Sequence, residues 1–140
     1  MKCIITLLFI CHLLLVPQLI GSPEILVVNS LENIIEKADG NHKESIQMLV
    51  TAIFGHEILP VVECESNFQQ FEEDDLTPLI SPTGDVGVMQ INIATWKEKA
   101  EELDLDIYYS TFDNLLMGKH IQKAQGLTAW TCFNDLAIGI

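Results

Sequence analysis

The sequence predicts a mainly α-helical domain interrupted by one long central loop or small hairpin. Three observations carry that prediction. Apolar residues recur at helical spacing in successive segments, which open on capping residues or close on glycine. Residues 69–88 break the period and gather Pro, Gly, Ser and Asp. A 140-residue chain that is 49% hydrophobic can bury one proper core.

Charge narrows the class further. Twenty Asp and Glu stand against seven Lys, a formal net charge of −13. A chain this acidic, without a basic stripe, is not expected to bind nucleic acid, because phosphate contacts need clustered Lys or Arg. Its apolar content is too high for a disordered acidic tail. The positive mean hydropathy of +0.29 is unexpected for so acidic a chain, and the N-terminus accounts for much of it. Lys2 precedes the apolar run Cys3–Val16, followed by Pro17 and then Gly21-Ser22. That order is the layout of a secretory signal peptide, with a membrane anchor as the alternative for residues 1–22. Without that segment, six Lys face 20 acids, a net −14, and two cysteines remain, Cys64 and Cys132. Two cysteines in an exported domain suggest one disulfide, with two buried free thiols as the alternative; the bridge would close a loop worth roughly 3–4 kcal/mol in the chain-entropy model. The expected location is the periplasm, cell envelope or extracellular space.

Along the exported part, residues 23–43 read as a linker and short helix, and residues 44–140 as the functional domain. Residues 23–29 suggest a linker or loose strand. Ser30 then caps a helix carrying Leu31, Ile34, Ile35 and Ala38, which Gly40 stops. Asn41 and Glu44 resemble a capping pair before the stripe Ile46, Leu49, Val50 and Ile53. A third helix is expected from about Glu57, with Pro60 in its first turn, to about Asn67. Met89–Ile93 is extended or helical. Thr95 and Glu98 form a capping box for a helix bearing Trp96, Ala100 and Leu103, and another helix spans about Phe112–Gln125 before Gly126.

One carboxylate sits where an apolar residue belongs. Ile58, Val61, Val62, Glu65 and Phe68 share a helical face, whereas Glu63 points elsewhere. A carboxyl group on an apolar face is costly to ionise, and a raised proton affinity is what a general acid needs near neutral pH. The plain alternative is a helix-end Glu turned out to solvent.

The flanking motifs favour chemistry. Glu65-Ser66-Asn67-Phe68 is followed by Ser81-Pro82-Thr83-Gly84-Asp85-Val86-Gly87-Val88-Met89-Gln90-Ile91-Asn92, then Asn114-Leu115-Leu116-Met117-Gly118, then Trp130 and Cys132-Phe133-Asn134. In this order, across residues 44–135, they resemble the SLT-type lytic transglycosylase catalytic domain, a relative of goose-type lysozyme. The resemblance implies a lysozyme-like helical fold without cofactor or metal. It also implies cleavage of the β-1,4 bond between N-acetylmuramic acid and N-acetylglucosamine in peptidoglycan. Glu65 would be the single general acid and base, assisted by the substrate's N-acetyl group, leaving 1,6-anhydro-muramyl ends. Gln90 corresponds to the glutamine beside the catalytic Glu, and Ser81 to the serine near it. Gly84 and Gly87 either let the backbone approach a sugar or simply make a tight turn. Met89 is core or cleft floor. Asn114 is buried and hydrogen-bonded, as a substrate contact or a bridge between helices. Asn92 and Asn134 complete the expected substrate-binding set. Trp96 and Trp130 are sugar platforms or core.

Three departures matter. The family often has Tyr-Asn near its end, where this chain has Phe133-Asn134, so any hydroxyl near Glu65 must come from elsewhere, such as Tyr108 or Tyr109. Asp85 stands where Ala is common. It offers a second carboxylate and hence plain hydrolysis, as in a muramidase. The loop 69–80, with four consecutive acids from Glu72 to Asp75, is longer than usual and either reshapes the cleft or is solvated surface. A third reading is a secreted, non-catalytic glycan-binding protein. The expected partners are peptidoglycan strands and a membrane tether or wall-associated protein, with the chain monomeric. Under the same resemblance, a bridge from Cys64 to Cys132 would tie the catalytic helix to the chain end.

Overall fold

A computed structural model describes residues 23–138; the leader or anchor expected over residues 1–22 lies outside them. Among the described residues there are six helices and a small two-stranded sheet, so the mainly α expectation holds. The helices are α1 (Pro23–Asp39), α2 (Lys43–Phe54), α3 (Leu59–Ser66), α4 (Ile93–Glu102), α5 (Thr111–Gln125) and α6 (Thr131–Ile138). Short 3-10 turns, His56–Ile58 and Leu127–Ala129, precede α3 and α6. Strands β1 (Asp85–Val86) and β2 (Ile91–Asn92) pair antiparallel, Asp85 opposite Asn92 and Val86 opposite Ile91, which realises the small hairpin. The backbone divides into two units at Asn33/Ile34. Of the first, only residues 23–33 are described, and they are helical. No described helix is long and apolar enough to cross a membrane.

The core of the second unit follows the predicted stripes. Ile46, Leu49 and Val50 of α2, Val61 and Val62 of α3, and Leu115, Met117 and Ile121 of α5 are buried together. Val86, Val88, Met89 and Ile91 from the hairpin join them. Pro60 sits in the first turn of α3, and Asn67 ends that helix in the left-handed region. Ser110 accepts from the Asp113 N–H to cap α5, and Gly126 follows its end.

Three local expectations are corrected. Residues 23–29 are not a linker but the first turns of α1. Pro23 needs no N–H at a helix start, and the Val and Ile that suggested a strand cost a helix less than about 0.7 kcal/mol each. Asn41 does not cap α2. Its Oδ1 accepts from Gln70 N and Phe71 N at 2.8 and 3.1 Å, and its Nδ2 donates to Phe71 O at 2.9 Å, so it anchors the central loop. Thr95 does not open α4 either. Asn92 does, its Oδ1 accepting from the Thr95 N–H at 3.1 Å.

The hairpin is held from inside by two amide side chains with no exposed surface, Gln70 and Asn114. Gln70 Nε2 donates to the Ile107 and Tyr108 carbonyls at 3.0 and 2.9 Å, while its Oε1 accepts from Val88 N at 3.1 Å. Asn114 Nδ2 donates to the Val86 and Ile107 carbonyls at 3.0 and 2.9 Å, and its Oδ1 accepts from Met89 N at 2.9 Å. Removing either amide strands backbone groups in the core. Asn114→Leu is therefore expected to lower stability by about 3 kcal/mol. Asn134→Leu at the chain end should cost under about 1 kcal/mol. Urea titration of both variants checks the contrast.

Candidate functional site

Glu65 occupies the last turn of α3, the point at which the chain bends sharply. Asn67 and Phe68 follow with φ of 53° and 62°, and Gln90 in the hairpin turn has φ of 44°. Left-handed backbone at a bulky residue such as Phe68 costs of order 1 kcal/mol or more, and such strain gathers at functional sites. Burial of the Phe68 ring and a Lys43 contact from α2 hold it: Lys43 Nζ donates to Asn67 Oδ1 at 2.9 Å and lies 5.2 Å from the ring centroid. Ser66 fixes α3 to the hairpin, its Oγ donating to Val88 O at 2.8 Å.

The bend leaves Glu65 half-buried at a cleft of about 140 Å³, lined also by Asp85, Gln90, Asn92, Trp96, Trp130 and Thr131. That is smaller than the roughly 300–1,000 Å³ pockets that engulf small molecules. Burial raises the proton affinity of Glu65. A hydrogen bond from the Cys132 N–H, 3.0 Å away, opposes the rise, and the charges of Asp85 and Asp135 add to it. Asp85 moves the other way. Burial disfavours its charge, but donors from Thr83, Asn92 and Ser81 together hold its carboxyl below the usual range. Asn92 Nδ2 and Ser81 Oγ each donate at 2.9 Å. The proton affinities of two carboxyl groups in one cleft are thus pushed apart, Glu65 upward and Asp85 downward.

The predicted residues separate into those that reach the cleft and those that build it. Glu65, Asp85, Gln90 and Asn92 line it. Gln90 donates to Gly87 O at 2.9 Å, and its Oε1 has no partner among the described residues. Ser81 bonds Asp85 rather than Glu65. Gly84 has open space about it and a φ of 82°, the conformation the turn requires. The remainder are corrections. Asn114 spends all its polar atoms on backbone and is the bridge. Met89 is core, packed against Gly118. Gly87 is buried, and a Cβ there would strike Gln70 and Asn114, so it makes room for those amides, not for a sugar. Asn134 donates to Thr128 O and Trp130 O, both at 3.2 Å, and holds the chain end.

Of the two tryptophans, Trp130 is buried at the cleft wall with Nε1 donating to Met89 O at 2.8 Å. Trp96 is half-exposed there, edge-on to His120. Neither Tyr108 nor Tyr109 lines the cleft. The acidic loop stays outside it too. Asp74 accepts from Thr77 Oγ1 at 2.6 Å and from the Thr77 and Leu76 N–H groups, and Asp75 bonds Asn41, so these acids shape a surface turn. Among the described residues no cluster of His, Cys, Asp or Glu is arranged to hold a metal ion. The structural roles of Ser66, Gln70 and Asn41 were missed in the sequence. Gln70 and Ser66 carried a faint signal, as polar residues close to an apolar stripe.

Comparison with protein-family models, curated proteins and solved structures finds no match, so the functional reading rests on this chain's own residues and motifs.

The raised proton affinity of Glu65 has a stability consequence. Below the ordinary carboxyl value of 4.5, Glu65 is protonated in both folded and unfolded chains. As pH rises through the higher folded value, the folded state is progressively disfavoured. Glu65→Gln keeps the oxygen that Cys132 N–H needs and cannot ionise. Its melting temperature relative to wild type should therefore rise between pH 4 and pH 8, as read by thermal unfolding at several pH values; a constant difference would contradict the assignment.

Proposed function

We propose that this chain cleaves the β-1,4 bond between N-acetylmuramic acid and N-acetylglucosamine in peptidoglycan, as a lytic transglycosylase on a lysozyme-like fold. The supporting observation is Glu65: a half-buried carboxyl with raised proton affinity, at a polar cleft, held by a backbone donor. Protonated Glu65 gives its proton to the glycosidic oxygen as the bond to the muramyl anomeric carbon breaks, with the N-acetyl group supporting the developing cation. The resulting carboxylate then takes the proton of the muramyl 6-hydroxyl, whose oxygen closes on the anomeric carbon to give the 1,6-anhydro end. The free Oε1 of Gln90 is an acceptor for the N-acetyl N–H. No cofactor takes part, and the chain works as an exported monomer. The net −14 of the mature part opposes attraction to anionic wall polymers, so a membrane tether or wall-associated partner supplies targeting.

One observation favours a second outcome. Asp85, ionised and held by three side chains in the same cleft, is suited to stabilise the sugar cation or activate water, which would give hydrolysis. Glu65→Gln should lower lysis of purified sacculi by about 10²–10⁴-fold in either case. Mass analysis of the fragments separates them. Anhydro ends with an active Asp85→Asn variant fit the transglycosylase. Reducing ends with an inactive Asp85→Asn variant fit the hydrolase. Sacculus binding by wild type without any cleavage would leave a glycan-binding protein instead.

A further inference from the structure

The disulfide Cys64–Cys132 adjoins both ends of the hydrogen bond between Cys132 N–H and Glu65. Cys64 immediately precedes Glu65, and Cys132 carries the N–H that donates to Glu65 Oε1 at 3.0 Å. The bridge therefore fixes the acceptor from the residue before it and the donor through the residue that carries it, across a sequence separation of 68. It also joins two short helices, α3 and α6, of eight residues each, neither long enough to hold such a register alone. Phe133, beside Cys132, packs against the core and brings no hydroxyl.

We propose that the Cys64–Cys132 bridge is a positioning device for Glu65, holding the Cys132 N–H on the catalytic carboxyl, so that the acid is competent only in the oxidised protein. This inference rests on the function proposed above for Glu65. The groups facing Glu65 are the Cys132 N–H and Asp135 from α6 and Asp85 from β1; Glu63 lies on the exposed side of α3 against Lys43 of α2, 3.4 Å away. With α6 released, the donor and Asp135 leave together; the donor is the stronger influence of the two, so Asp85 acts on Glu65 unopposed. A dithiol supplies the two electrons and two protons that turn the bridge into two thiols, and leaves as its own disulfide.

The test uses the full chain, oxidised and after treatment with dithiothreitol, with far-UV circular dichroism to follow the fold. In the oxidised protein the Cys132 amide proton shift should inflect at the pH where the Glu65 carboxyl carbon titrates. In the reduced protein that coupling should vanish, and Glu65 should titrate at higher pH. Wall lysis should lose roughly tenfold or more in kcat with little change in KM, and return on reoxidation. Cys64→Ser/Cys132→Ser should match the reduced protein and ignore the dithiol. A Cys132 amide that does not follow Glu65 in the oxidised protein overturns the proposal without any variant. So does a folded, reduced protein with unchanged Glu65 titration. The titration needs no substrate, so absence of lysis by oxidised wild type would fail the functional reading and leave the positioning role still decided.

Discussion

A hairpin buried in a helical domain must have its backbone N–H and C=O groups paired, since water cannot reach them. Two strands of two residues each cannot do this for one another. Gln70 and Asn114 do it for them, joining Val86, Val88 and Met89 to the segment at Ile107 and Tyr108. The cleft depends on this pair, because the hairpin they fix carries Asp85, Gln90 and Asn92. Gly87 and Gly118 serve the same constraint, the first making room for the amides and the second for Met89.

With the hairpin fixed on one side and α6 on the other, Glu65 lies between a negative residue and a backbone donor. Burial, the largest influence on it, raises its proton affinity; the Cys132 N–H moderates that effect. Asp85 is surrounded by donors and remains charged. Differences of environment thus shift the proton affinities of two carboxyl groups in opposite directions.

The helices were legible because their apolar faces and end signals are local. Ile46, Leu49 and Val50, Pro60 in the first turn of α3, and Gly126 after α5 all behave as the period and the capping rules require. The errors fell where a local signal had a distant competitor. Asn41 looks like a cap, yet the loop at Gln70 and Phe71, about thirty residues on, takes its amide. Glu65 was marked by its misplaced charge on an apolar face. Met89, Gly87 and Asn114 were marked with it by their motif, and they serve the site from behind by holding its backbone.

The sequence by itself determined the helical class, the central irregular stretch, the acidic surface and the prominence of Glu65, because periodicity, turn chemistry and charge are properties of neighbouring residues. Only the tertiary structure decided which polar residues face the cleft and which face inward. It alone set Cys132 N–H against Glu65 and turned the Asn41 amide to Gln70 and Phe71. Those contacts join segments far apart in the chain, and their strength depends on burial that no local pattern records.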